Sequence, residues 1–361
     1  MATDTLVQAS ARMSAPTHCE AFDQLLCVDV HDETHDVKSF TFVSSDGKAF
    51  DFVAGQHLSL ELEIDGFAES RCYSMSSSPK RRNAITVTVK RTTGGRVSNW
   101  LHDNLAPGAT VKAMGPLGQF FRPTGSAAKL LLMSGGSGIT PLMSIVRDIA
   151  DMGQTADVIF LHAARTPRDL VFRDELAVLA NRMKGLRLHF LPEQIVGERA
   201  WHGLAGRISR EFLSLAVPDL AERVIMCCGP APFMKAAQVL SAELGAPAHN
   251  YFEESFDGPA IEELGTKVPA APQVKVFNVA FAKQARTIQV SEAQTVLSSA
   301  KRAGIRLPSS CANGLCGTCK CKLISGKVDM QHNGGIRQRE VDAGFFLPCC
   351  SKPLSDLVIE R

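Results

Sequence analysis

A chain of 361 residues, 45% hydrophobic and 21% charged, is long enough for two or three domains with separate cores. No apolar run reaches the ~18 residues of a membrane span, so a cytoplasmic chain is expected, with neither membrane nor nucleic acid as partner. The formal charge of +2 hides a division: residues 273–361 hold 13 Lys and Arg against 6 Asp and Glu, a net of +7, which leaves −5 on the remainder.

Residues 1–18 are small and polar and read as a disordered lead-in rather than a signal peptide. Residues 19–124 are rich in short alternating segments. The runs 39–43 (SFTFV), 58–62 (LSLEL) and 84–90 (AITVTVK) have the period of two expected of strands, punctuated by Gly and Pro. Their number and spacing predict a small β-barrel. The texture changes near residue 125. In the run 129–133 (KLLLM) every residue after Lys129 is apolar, as in a buried parallel strand. A Gly-rich turn follows, then a helix that Thr140 can cap, with Leu142, Ile145, Val146 and Ile149 along one face. Further strands at 157–161 and 224–227 and a helix at 232–244 make residues 125–257 a doubly wound α/β unit. Residues 258–272, with several Pro and Gly, read as a linker. Residues 273–361 form an α+β module around six of the eleven cysteines, and an odd cysteine count argues against a disulfide framework.

Three motifs carry chemistry. The first is Cys311-x4-Cys316-x2-Cys319, with Cys349 following after 29 residues. Four thiolates can hold a [2Fe–2S] cluster, three from a tight loop and one from a distant segment. Small residues in that loop let backbone N–H groups approach the sulfurs. A structural zinc site is the bland alternative, but zinc favours paired Cys-x2-Cys knuckles. Cys350 is the rival to Cys349, and Cys321 is read as a spectator. The second motif is Arg71-x-Tyr73-Ser74: an aromatic neighbour for a flavin ring, a hydroxyl for its polar edge and a cation for its phosphates. Downstream, Lys90 and the turn holding Gly95 and Ser98 suit a pyrophosphate, which favours FAD over FMN. The third is Gly135-Gly136-Ser137-Gly138-Ile-Thr140, paired with Cys228-Gly229-Pro230 at the end of a later strand. Both are turns where a pyridine dinucleotide can approach the backbone. After the second strand comes the run 162–168 (HAARTPR), with Arg165 and Arg168 but no acidic residue to bind a ribose 2′-hydroxyl. Arg165 can instead meet a 2′-phosphate, so these residues leave NADH and NADPH both open.

Taken in order, these motifs and Glu253-Glu254-Ser255-Phe256 resemble the ferredoxin–NADP reductase superfamily over nearly the whole chain. More narrowly, they resemble the three-module reductases of Rieske-type oxygenases that demethylate quaternary amines such as glycine betaine, carnitine or stachydrine. The reductase of hybrid-cluster protein is also similar. The resemblance implies a flavin β-barrel domain, an NAD(P)-binding α/β domain and a β-grasp ferredoxin domain. It implies that Arg71, Tyr73 and Ser74 contact the flavin and that Glu254 and Phe256 lie beside its ring. It places Cys228 near the nicotinamide, and it tips the donor toward NADH. The expected partner is a terminal oxygenase, or another electron acceptor, docking on the basic ferredoxin module of a monomer. A redox sensor or carrier module is the reading from another class.

Overall fold

The computed structural model describes residues 23–123, 129–196, 201–256, 275–305, 307, 314, 317, 319–332 and 335–361. The expected lead-in (1–18) and linker (258–272) lie outside the described residues, as do Cys311 and Cys316.

The first unit has six strands: β1 (Asp23–Thr34), β2 (Val37–Ser44), β3 (His57–Ile64), β4 (Phe67–Ser74), β5 (Ile85–Lys90) and β6 (Thr110–Leu117). They pair antiparallel in the order β4-β3-β6-β1-β2-β5, and a bridge from Met75 to Val87 joins the two ends into a barrel. Alternation along β5 is the cause of its place. Ile85, Val87 and Val89 are each at most 2% exposed and meet Phe40, Phe42, Leu58 and Leu60 inside. Helix α1 (Arg96–Asn104) adds Val97 and Leu101 to the same core.

The second unit is a parallel sheet of β7 (Leu130–Gly135), β8 (Val158–Ala164), β9 (Leu186–Pro192), β10 (Val224–Cys228) and β11 (Tyr251–Glu254), in the order β11-β10-β7-β8-β9. Helices α2 (Ile139–Asp151), α3 (Arg173–Arg182), α4 (Arg210–Ala216) and α5 (Ala231–Glu243) cover it. The unbroken apolar run in β7 serves both faces. Leu130 and Leu132 pack with Leu142 and Leu176 on one side, while Leu131 and Met133 pack with Leu213 and Ala237 on the other. The chain enters at β7, runs out to β9, then returns to β10. The order therefore reverses between β7 and β10, where α/β sheets open a ligand crevice.

Thr140 does not cap α2. The helix starts at Ile139 with Gly138 as its N-cap, and Thr140 lies inside the first turn, its hydroxyl donating to the Ser137 carbonyl at 3.1 Å. Glycine takes the cap because no larger residue fits there, as shown below.

The two units are sewn together through the segment after β4. Ser144 Oγ donates to the Ser77 carbonyl at 2.7 Å, and Arg147 donates to the Ser76 carbonyl at 2.7 Å. Arg81 adds a two-pronged contact to Asp151 at 2.8 and 3.0 Å.

The third unit comprises β12 (Val276–Phe281), β13 (Arg286–Ser291), α6 (Val296–Arg302), β14 (Cys321–Ser325), β15 (Val328–Met330), α7 (Gln338–Asp342), β16 (Phe345–Phe346), β17 (Ser351–Pro353) and β18 (Leu357–Ile359). A mixed sheet in the order β13-β12-β18-β14-β16 and helix α6 enclose Val279, Phe281, Val296, Phe346 and Ile359. This is the expected β-grasp arrangement.

Candidate active site and electron path

One cavity of about 340 Å³ joins the first two units. Its barrel side carries Arg71, Tyr73, Ser74, Lys90, Gly95 and Ser98, all expected at a flavin. Ser137 and Thr140, from the turn after β7, and Phe256, beyond β11, complete it. Gly94, at φ +70°, makes the sharp turn that ends β5 and opens α1 beneath these groups. The nine-residue α1 directs its N-terminal amides to the same side, a suitable seat for a phosphate. Arg96, which the sequence motifs do not single out, is a further lining cation. Bonds to the Ile64 carbonyl (2.9 Å) and Asp65 (3.0 Å) hold it. Burial raises the Tyr73 phenol well above its ordinary value, so it remains neutral. The residues present thus fit a flavin: a neutral aromatic, a hydroxyl, and cations grouped at one helix end.

Glu254 and Phe256 reach this cavity's surroundings by different routes. Phe256 is 47% exposed and lines it. Glu254 accepts a hydrogen bond from Ser74 Oγ at 3.3 Å, across 180 residues of sequence. Cys228 ends β10, fully buried.

The two glycine turns expected at the nucleotide come into backbone contact. A Cβ on Gly138 would lie 2.2 Å from the Cys228 carbonyl oxygen and 2.6 Å from Gly229 N. One on Gly229 would lie 2.9 Å from Gly135 N. Pro230 packs against Gly135, with 3.0 Å between its Cδ and the missing Cβ. Gly136 adopts φ +53° in open space. These four small residues keep bare backbone at the strand ends.

A second pocket opens beside the C-terminal ends of β8 and β9, lined by His35, Arg165, Thr166, Arg168, Asp169 and Gln194. The expectation of no acidic group here is overturned. Asp169 accepts from Arg165 at 2.7 Å, and Asp36, from the turn between β1 and β2, accepts from the same guanidinium at 3.1 Å. Burial raises the Asp169 carboxyl, but the bonds from Arg165 and Thr166 outweigh it and hold it below the usual value.

In the third unit Cys319 and Cys349 are 3% and 5% exposed and share one core cluster. Gly314 and Gly317 have φ of +75° and +71°, the left-handed conformations that a tight loop needs. A Cβ on Gly314 would lie 2.6 Å from Cys350 Sγ, and one on Gly317 would lie 2.5 Å from the Gly335 carbonyl oxygen. Gly335 N returns a bond to the Gly314 carbonyl at 2.9 Å. Gly314 is thus packed against His332 and Cys350, and Gly317 against Gly335. Cys321 donates its thiol to the Cys319 carbonyl at 3.2 Å, and burial raises its pKa. The donor set of buried thiols and left-handed glycines fits a [2Fe–2S] cluster.

These features define a flavin- and iron–sulfur-dependent oxidoreductase that draws on a pyridine nucleotide. The family models agree in chain order: oxidoreductase FAD-binding domain over residues 25–121, oxidoreductase NAD-binding domain over 132–239, and 2Fe-2S iron-sulfur cluster binding domain over 280–354. The glycine betaine monooxygenase reductase subunit of Pseudomonas aeruginosa is 41% identical over 92% of this chain and 94% of its own length. The stachydrine N-demethylase reductase subunit of Rhizobium meliloti is 38% identical over 94% and 96%. Phthalate dioxygenase reductase superposes with a TM-score of 0.58 over 94% of this chain and 98% of its own, at 24% identity, which speaks to the fold alone. The chain belongs to the family of three-module reductases with FAD, NAD and [2Fe–2S] domains. It transfers electrons from NAD(P)H through FAD to the cluster. Among the described residues no helix is long and apolar enough to cross a membrane.

Proposed function

We propose that this chain is the reductase component of a Rieske-type monooxygenase that demethylates a quaternary amine such as glycine betaine or stachydrine. The observation that carries the reading is the single cavity shared by the Arg71–Tyr73–Ser74 segment and the Ser137–Thr140 turn, in a chain matched nearly end to end by reductase subunits of a glycine betaine monooxygenase and a stachydrine N-demethylase. The bound flavin and cluster convert a two-electron hydride into single electrons. The protein's part is to place them. Arg71, Lys90, Gly95 and Ser98 hold the flavin phosphates, and Tyr73, Ser74, Glu254 and Phe256 border its ring. Gly135, Gly136, Ser137, Gly138 and Thr140 seat the nucleotide with Cys228, Gly229 and Pro230. Cys311, Cys316, Cys319 and Cys349 bind the cluster. A Rieske acceptor suits this donor: plant-type clusters sit near about −400 mV and Rieske centres at roughly −150 to +300 mV. That gap of at least ~250 mV favours delivery by about four powers of ten for one electron.

The basic ferredoxin module is the docking surface in this reading. Lys320 is the weaker lever, since Glu340 pairs with it at 2.5 Å. Lys322, over the Phe345 ring at 5.9 Å, is the better one. Reconstitution with purified oxygenase tests this: electron delivery is expected to slow as salt rises from about 0.1 M to about 1 M, since screening shortens from ~10 to ~3 Å. Lys322→Glu should slow it several-fold at low salt. Equal delivery to unrelated acceptors, flat in salt, contradicts the assignment.

The donor in this reading is NADH. Arg165 is taken up by Asp36 and Asp169, and two carboxylates at a strand end accept ribose hydroxyls and repel a 2′-phosphate. Lys90 also approaches Asp36, at 3.4 Å. Steady-state kinetics should give kcat/KM at least about tenfold higher for NADH, a difference of about 1.4 kcal/mol. Asp36→Asn should narrow that ratio, and Arg168→Ala should lower the residual rate with NADPH. A wild-type preference for NADPH refutes the assignment.

A further inference from the structure

The third unit carries a groove of about 510 Å³ to which the preceding account gives no role. Ile324, Val328, Met330, Val341 and Phe345 give it apolar walls. Strand β14 explains how such side chains come to the surface. Successive residues of a strand face opposite ways, so Cys321 enters the core while Lys322 and Ile324 look outward. An outward position on a solvated sheet ordinarily carries a polar residue, yet Ile324 is aliphatic and 57% exposed. Phe345 of β16 pairs with Lys322, whose ammonium stands 5.9 Å from the centre of the ring. The result is an apolar strip with a cation at its edge.

The groove is joined to the cluster segment. Met330 Sδ accepts from Leu347 N at 3.3 Å, and Gln331 N donates to the Cys350 carbonyl at 3.0 Å, so residues on both sides of Cys349 are bonded to the β15 segment. His332, also in the lining, backs onto the cysteine loop: a Cβ on Gly314 would lie 2.9 Å from its Cα. A protein seated in the groove therefore rests on residues bonded to the segment that holds Cys349. The surround is basic. Residues 320–345 hold five Lys and Arg against three Asp and Glu, a net of +2, and Glu340 among the three pairs with Lys320. Lys322 and Lys327 are exposed, and Lys327 stands between Gly326 and Val328 of the lining. An apolar floor inside a charged rim is the anatomy of a transient protein interface.

We propose that this groove is the docking site for the electron-accepting protein, and that it receives an apolar side chain projecting from an acidic surface of that partner. The proposal rests on the reading that a protein acceptor docks on this module. Lys322 and Lys327 steer the acidic surface in, and the seated side chain holds it while one electron passes from the cluster to the acceptor. The two contributions respond differently to salt: screening removes the first and leaves the burial of apolar surface intact.

Steady-state electron delivery from the holoprotein to the purified oxygenase of a glycine betaine monooxygenase tests this, with cytochrome c as a second acceptor and cluster content measured by absorbance. Ile324→Gln should raise the KM for the oxygenase at least about tenfold, as loss of an interface anchor does, while Ile324→Leu should stay within about twofold of wild type. The Ile324→Gln defect relative to wild type should persist at about 1 M salt, where that of Lys322→Glu disappears. Cytochrome c reduction, and the rate at which NADH reduces the cluster, should not change in Ile324→Gln. Val276→Gln is the control: it lies on the same module at 53% exposure, but on β12, and should match wild type. Full cluster with an unchanged KM in Ile324→Gln overturns the proposal, as does an equal rise in Val276→Gln. Slower cluster reduction by NADH in Ile324→Gln overturns it too, and gives the groove to the chain's own flavin unit. A wild type that reduces cytochrome c but not the oxygenase instead overturns the reading on which the proposal rests.

Discussion

Serine in place of Cys349 is expected to remove the visible iron–sulfur absorption and to cut NADH-driven reduction of cytochrome c by at least about 100-fold. That exceeds the usual cost of losing only an outer-shell partner of a metal. NADH should still bleach the flavin, because the barrel and the nucleotide unit are built without the ferredoxin module's core. Cys349 is 5% exposed within that core, beside Cys319 at 3%. Its neighbour Cys350 instead faces the loop glycine Gly314 and points its thiol at the Leu347 carbonyl, 3.6 Å away. Cys350→Ser and Cys321→Ser should therefore keep the absorption and the iron. Serine at Cys311, Cys316 or Cys319 should behave as at Cys349. Iron analysis and the visible spectrum decide the matter. A cluster that survives in Cys349→Ser but is lost in Cys350→Ser reverses the ligand assignment.

Alanine at Gly138 should cost about 100-fold or more in kcat/KM for NADH. The added Cβ would lie 2.2 Å from the Cys228 carbonyl oxygen and 2.4 Å from its carbon. Both are backbone atoms of a fully buried strand end, so no side chain can swing aside. The turn after β7 must move away from the turn after β10 by more than an ångström, and a displacement of that size alone can cost about 10² in rate. Overpacking adds about 1–3 kcal/mol of destabilisation. Gly136→Ala is the informative control. Its φ of +53° strains any L-residue, but nothing lies within 4 Å of the new atom. That variant should lose about 1–2 kcal/mol of stability and, as part of the nucleotide seat, some activity, but less than Gly138→Ala, because no protein atom meets the new methyl. Both variants should retain flavin, and dithionite should reduce their clusters normally. Unchanged NADH kinetics in Gly138→Ala contradict the placement of the nucleotide.

Much of this architecture is legible in the residues because local signals and tertiary demands agree. The alternation in β5 and the solid apolar run in β7 differ because one strand buries apolar side chains on a single face and the other on both. The cysteine spacing and the glycine turns are visible because backbone geometry needs those residue types. The start of α2 is misjudged because threonine is the commoner cap, whereas contact with Cys228 demands glycine. What stays hidden is long-range. Asp36 reaches Arg165 across 129 residues, and no motif near either announces it. Asp169 stands one residue beyond Arg168 and becomes informative only when its bond to Arg165 is seen. His57 sits in an alternating strand as one of ten histidines, and the carboxylate 3.6 Å from it is supplied by β11. Arg96 likewise looks like a helix-surface cation until the cavity is closed around it.

The most direct test of the account is anaerobic mixing of the holoprotein with one equivalent of NADH, with absorbance followed on the millisecond scale and the product frozen for electron paramagnetic resonance. The account predicts that flavin absorption falls first and that the cluster then becomes reduced and paramagnetic, with Cys349→Ser stopping after the flavin step. A flavin that NADH reduces while a bound cluster stays oxidised and silent would contradict it.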